Sequence, residues 1–167
     1  ARSLSTPDIG ADEFVIPAND AGISEMIFPQ NNPCIGLTAF KVRIKNYGSS
    51  NLTTATINWT VNGITQTPYS YSGTILPNQT DSAVIGSYTF TTGTSYNLKF
   101  WTTLPNGVAD PKPNNDTLTK SSLTASLGGT LTIGSGGNYT SISSAITDLT
   151  FRGVCGPVVL NIASGLY

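Results

Sequence analysis

The stretch "NGVADPKPNNDT" gathers Asp110, Asn114, Asn115 and Asp116 into one short segment. Carboxylate and amide oxygens are hard donors of the kind Ca²⁺ accepts, but their spacing is not that of an EF-hand loop. With Pro111 and Pro113 among them, the segment reads first as a proline-rich connection. A second acidic group, Asp8, Asp12 and Glu13, has the residue types of a glycosidase pair, yet a solvated closing turn is the plainer reading. The chain contains no His, which excludes a Ser-His-Asp or Cys-His centre within it. "GSGGNYT" has the glycines of a phosphate loop without its Lys or a preceding parallel strand. The sequence therefore offers no catalytic, cofactor-binding or metal-binding motif, and the chain is read as a non-enzyme without a cofactor.

Cys34 and Cys155 are too few for a disulfide scaffold and lack metal-ligand spacing. In an exported protein they could pair, closing a long loop worth about 4–5 kcal/mol in the chain-entropy model. Two buried free thiols are the plainer reading. The net charge is −1 and 10% of the 167 residues are charged, against a usual share of about 25%. Such a surface has no basic field for nucleic acid or anionic lipid. No apolar run approaches the roughly 18 residues that cross a bilayer, so no membrane insertion is expected. "ARSLSTPDIG" lacks the apolar centre of a signal peptide and has no initiator Met, so the chain reads as a piece of something longer.

The elements that must position these residues are mostly strands. In "LTAFKVRIKNYG", Phe40, Val42 and Ile44 alternate with Lys41, Arg43 and Lys45, the period of a strand with one wet face. "TINWTVNG" repeats the pattern with Ile57, Trp59 and Val61, then turns at Asn62-Gly63, where a type I′ hairpin needs positive φ twice. "SAVIGSYTF" (82–90), "SYNLKFWT" with Tyr96, Leu98 and Phe100 on one side, "DTLTKSSL" (116–123) and "ISEMIFP" (23–29), with the return arm of the hairpin after Asn62-Gly63, make seven or so strands. That number over about 100 residues predicts an immunoglobulin-like two-sheet sandwich. Trp59 takes the place of its core Trp and Tyr96 that of a tyrosine corner. After Leu123 the pattern changes. Gly-rich turns lead to a short helix with Tyr139, Ile142, Ala145, Ile146 and Leu149 on one face, capped by Thr140 or Ser141 and ended by Gly153. "PVVLNI" follows as a continuous apolar strand of the kind buried on both faces.

This tail, "YTSISSAITDL…RGVCGPVVLNI", resembles the cap helix and first coil of right-handed parallel β-helix (pectin-lyase-like) domains in large secreted proteins of Bacteroidetes-type bacteria. "PDIGADEF" (7–14) resembles the closing segment of the same β-helix family. "CIGLTAFKVRIKNYGSSNLTTATINWTVNG" is similar to the CARDB-like, immunoglobulin-fold spacers found between such domains. The resemblance implies an all-β chain in three parts: 1–16 closes one β-helix, 17–124 is the sandwich, and 125–167 opens the next.

The implied function is that of a structural and adhesive spacer in a large cell-surface or secreted repeat protein. Gliding-motility adhesins are relatives in style. Neighbouring β-helix domains of the same chain and the type IX secretion machinery would be its partners, and the location would be extracellular, associated with the outer membrane. Two rivals remain: an accessory domain of a β-helix polysaccharide lyase or hydrolase, and a carbohydrate-binding module that stacks surface polysaccharide on Tyr69, Tyr71 and Trp101. "DSA" (81–83) and "DTL" (116–118) match the short Bacteroidetes-type O-glycosylation pattern, which makes Ser82 and Thr117 candidate acceptors shielding strand edges. The five Asn-x-Ser/Thr sequons, Asn51 and Asn78 among them, would matter only in a eukaryotic source.

Overall fold

The alternation in "LTAFKVRIKN" becomes strand β2 (Gly36–Asn46), with Phe40, Val42 and Ile44 fully buried and Lys41, Arg43 and Lys45 at the surface. A computed structural model of the protein describes residues 15–165. The "PDIGADEF" segment, with Asp8, Asp12 and Glu13, lies outside the described residues. Strand β1 (Ala21–Phe28) flanks β2 on one side and β6 (Thr80–Phe90) on the other, all antiparallel. The second sheet is built around β3 (Leu52–Val61). One side of β3 pairs with β4 (Ile64–Thr65) and then β5 (Tyr69–Ile75); the other pairs with β7 (Ser95–Thr103), which carries β8 (Thr117–Thr124) at the edge. Asn62 and Gly63 both take positive φ, 48° and 80°, as the hairpin between β3 and β4 requires.

The two inner faces meet at an aromatic centre. Phe40 of the first sheet lies 5.0 Å from Trp59 and 5.8 Å from Phe100 of the second, ring centre to ring centre. Trp59 keeps its one polar group satisfied by donating Nε1–H to the Thr67 carbonyl at 3.0 Å. Truncating a side chain this enclosed costs about 3–5 kcal/mol. Tyr96 forms the expected corner: its hydroxyl accepts from the Thr91 backbone N–H at 2.8 Å, five residues upstream.

Beyond β8 the chain runs into β9 (Leu127–Ile133), α1 (Ile142–Arg152) and β10 (Val154–Ile162). Strands β9 and β10 pair in parallel, Leu131 opposite Leu160 and Ile133 opposite Ile162, with α1 in the crossover between them. Ser141 caps α1 through a reciprocal pair: Ser144 N–H donates to Ser141 Oγ at 3.1 Å, and Ser141 N–H to Ser144 Oγ at 3.3 Å. Gly153, with φ 69°, ends it. At its far turn, Asp148 accepts from the Tyr139 hydroxyl and from Arg152 Nε, both at 2.7 Å.

Three expectations need correction. The strand around "PVVLNI" forms, but it is not buried: among the described residues only β9 pairs with it, and Val154, Val159 and Ile162 are exposed. Helix α1 buries Ala145 completely while Ile142 and Ile146 stay exposed. The cysteines are not buried free thiols. Cys34 is exposed, Cys155 is half-buried, and the two form a disulfide with Cα atoms 5.3 Å apart. The cause is the loop after β1, which lies along the start of the tail. Its Pro33 carbonyl accepts from Ser126 N–H at 2.8 Å and its Asn32 carbonyl from Ser126 Oγ at 2.6 Å. That pairing carries Cys34 to β10 and bolts the sandwich to the tail.

Candidate functional site

At the other end of β1, the segment that precedes it is held by the turn between β2 and β3. The carbonyl of Asp20 accepts from Tyr47 N–H at 2.9 Å and Gly48 N–H at 3.0 Å, and that of Pro17 accepts from Ser49 N–H at 2.9 Å. Gly48 is required by closeness: a Cβ there would stand 2.5 Å from the Ala18 carbonyl oxygen. Asn46, fully buried, stitches the turn. Its Nδ2 donates to the Ser50 and Ile75 carbonyls at 2.8 Å each, and its Oδ1 accepts from Gly48 N–H at 2.9 Å.

The loop between β7 and β8 closes over this segment. Ala21 N–H donates to Asp110 Oδ2 at 3.0 Å across 89 residues of sequence, and Ile23 N–H donates to the Asp116 carbonyl at 3.1 Å. Gly22 lets the Asn115 backbone pass directly over it, where any Cβ would collide. Thr102 Oγ1 donates to the Ala21 carbonyl beneath. The result is a convergence of acids: one carboxylate oxygen each from Asp20, Asp110 and Asp116 lies within 4.8 Å of the others. Asp20 is 3% exposed and Asp116 6%, while Asp110 is half-buried at the rim.

This packing works against ionisation. Burial, then Asp110, then Asp20 push the Asp116 carboxyl up to about 7. The Asp20 carboxyl is also raised, chiefly by burial and further by Asp110, against the lowering effects of the Asn115 hydrogen bond and Lys112. Burial and the nearby Asp20 raise the Tyr47 hydroxyl. Asp110 Oδ1 accepts from Lys112 N–H at 2.8 Å. Asp20 Oδ1, Asp116 Oδ1 and Asn115 Oδ1, all buried, have no hydrogen-bond partner among the described residues. No nucleophile–base pair sits among these groups, and two of the three carboxylates are closed off from a sugar-sized substrate. A cluster of hard oxygen donors is what the geometry provides.

Of the segment singled out in the sequence, Asp110, Asn115 and Asp116 come together, whereas Asn114 remains on the exposed loop. Asp20 was missed. Nothing in "PANDAGIS" signals that its carboxylate meets a loop on the far side of the sandwich sequence.

The stacking aromatics do not form a platform. Tyr71 is 4% exposed, its hydroxyl donating to Asp81 Oδ2 at 2.8 Å, so the expectation of a surface ring there is corrected. Tyr69 pairs with Ile57 and shares its inward face; Trp101 pairs with Asn58 and faces outward, with Lys99 Nζ 5.1 Å from its ring centre. Alternation on β5 and β7 therefore puts these rings on opposite faces of one sheet. Ser82 and Thr117 both lie on edge strands, β6 and β8. Asp81 is exposed beside Ser82, but Asp116, the acid of the second glycosylation pattern, is buried in the cluster.

No protein-family model and no curated protein matches the sequence. Among solved structures, a domain of a candidate cell surface protein from Methanosarcina acetivorans superposes with a TM-score of 0.54 at 20% identity, covering 66% of this chain and 93% of its own. The sandwich has the fold of that domain. The CARDB domain of a Pyrococcus furiosus protein, described in complex with di-metal ions, superposes with a TM-score of 0.49 at 18% identity over 67% of this chain and 91% of its own. The solution structure of the same CARDB domain gives 0.47 at 18% identity over 66% of this chain and 96% of its own. Among the described residues, no helix is long and apolar enough to cross a membrane.

Proposed function

We propose that the chain is a non-catalytic, CARDB-like connector in a large cell-surface or secreted protein, with the sandwich as a rigid spacer between other domains. One observation carries the reading: the sandwich is joined covalently to a parallel strand–helix–strand unit that buries Leu127, Leu131 and Ile133 but leaves further apolar side chains exposed. Parallel sheets are stable when both faces are covered, and Phe151, Val154, Val159 and Ile162 are the surface that cover would bury. Further parallel coils of the same polypeptide, stacked in the register that β9 and β10 begin, are the occupant. The Cys34–Cys155 bond supports an oxidising compartment, since structural disulfides persist outside the cytosol. The low charge and the absence of His within the chain suit a passive module.

The finer form of the reading is an adhesion spacer exported by the type IX route and modified at Ser82. It rests on the sequence resemblance alone. Antibody raised against this domain tests the surface location on intact cells of the source organism. Labelling abolished by external proteinase K is the expected result; label seen only after cell lysis refutes it.

A further inference from the structure

We propose that Asp20, Asp110 and Asp116, with the side-chain oxygen of Asn115, form a Ca²⁺ site that locks the segment preceding β1 to the loop between β7 and β8. Proximity of the acids is one observation, since their ligand oxygens lie within 4.8 Å of one another. Oxygens on opposite sides of one Ca²⁺ are separated by about 4.6–5.2 Å, and on opposite sides of Mg²⁺ by only about 4.2 Å. The cluster thus lies within the span of a single Ca²⁺ shell. Three carboxylates with an amide oxygen in a mostly closed site suit the flexible, oxygen-rich shell of Ca²⁺ better than Mg²⁺, which demands near-ideal octahedral geometry and keeps its waters.

The second observation is independent of proximity. Asp20 and Asp116 are both more than nine-tenths buried, and each has an oxygen with no hydrogen-bond partner among the described residues. Uncompensated buried carboxylates are among the costliest features a fold can hold. Elsewhere in this end of the molecule the polar groups are satisfied with care: buried Asn46 alone makes three hydrogen bonds. The neutral Asn115 Oδ1 is left unpaired at the same place while the Asn115 side chain hydrogen-bonds Asp20. Charge is also unbalanced among the described residues: Asp110 opposes ionisation of Asp20 while Lys112 favours it, and Asp110 and Asp20 both oppose ionisation of Asp116. A divalent ion would satisfy the orphaned oxygens and offset the repulsion together. The half-buried Asp110 and the exposed loop at 111–114 provide the way in, and water completes the six to eight ligands Ca²⁺ takes.

The site does not depend on where the protein resides, so its test is separate from that of the connector reading. The unmodified chain is melted in EDTA and then across a CaCl₂ titration. A rise of about 5–10 °C is expected once Ca²⁺ exceeds its Kd a hundredfold. Tb³⁺ should give luminescence sensitised by Tyr47, displaced by Ca²⁺ and not by equimolar Mg²⁺. Asp116→Asn should abolish both responses while melting in EDTA no lower than the parent, because it removes one of three repelling charges. Asp81→Asn, outside the cluster, should keep the full response. A flat melting temperature from EDTA to millimolar Ca²⁺, no Tb³⁺ emission, or a response that survives in Asp116→Asn overturns the site. An equal response to Mg²⁺ overturns its assignment to Ca²⁺.

Discussion

The two ends of the sandwich are fastened by different chemistry. Where β1 ends, the loop that follows is bonded through Cys34 to β10, and hydrogen bonds from the Ser126 backbone N–H and hydroxyl hold it in place. Where β1 enters, no covalent bond exists, and the segment is pinned by Asn46, by Gly48 and by a knot of acids that repel one another. A disulfide spanning 121 residues constrains the unfolded chain whatever the ionic conditions. An acidic knot constrains the fold only when its charge is met. The same strand thus connects a permanent joint to a conditional one, and substitutions at each should behave accordingly.

The largest effect belongs to the permanent joint. Replacing Cys34 and Cys155 together by Ser should lower unfolding stability by about 4–5 kcal/mol, read from urea denaturation with and without the change. A loss under 1 kcal/mol would mean that the joint holds the tail without supporting the sandwich. At the conditional joint, Asn46→Ala removes three buried hydrogen bonds at about 1 kcal/mol each, so a loss of about 3 kcal/mol is expected. Tyr96→Phe, on the disulfide side, should cost about 1–1.5 kcal/mol through the lost corner bond to Thr91. Denaturation midpoints that reverse the order of these two would show that the corner matters more than the turn.

The smallest expected effect concerns acid. Burial of Asp148 opposes its ionisation, but the Tyr139 hydroxyl and Arg152 outweigh it and hold the carboxyl below the usual range, while the Tyr139 hydroxyl is itself pushed up to about 12 by burial and Asp148. A carboxyl lowered on folding contributes stability above its unfolded pKa and loses it as pH falls through the folded value. The protection of α1 amides, taken relative to the intrinsic exchange rate at each pH, should therefore fall below about pH 4 in the parent and show no such step in Asp148→Asn.

Much of the sandwich is legible because its strands have one wet face. The alternation of Phe40, Val42 and Ile44 or of Tyr96, Leu98 and Phe100 records burial directly. Strand β5 was not legible, since "YSYSGTI" mixes inward Tyr69 and Tyr71 with Ser and Gly, and its rings read as surface groups. Strand β9 was hidden by Gly128-Gly129, which look like a turn; Gly128 instead makes room for Ile35, whose Cδ1 would lie 2.9 Å from a Cβ there. The acidic site was half legible. Asp110, Asn115 and Asp116 are local in sequence, but Asp20 joins them only because the β7–β8 loop packs over the start of β1, a long-range contact that no local pattern encodes. The disulfide was equally opaque, because bridging depends on how the loop after β1 lies against the tail.

The most direct test of the two-joint account is amide exchange by mass spectrometry on the full chain under four conditions, with and without Ca²⁺ and with and without reductant. Removal of Ca²⁺ should speed exchange in residues 17–23 and 108–117 and leave the tail unchanged. Reduction should speed exchange in residues 30–36 and 125–162 and leave the acidic end unchanged. Both treatments loosening the same peptides, or Ca²⁺ removal loosening none, would contradict the account.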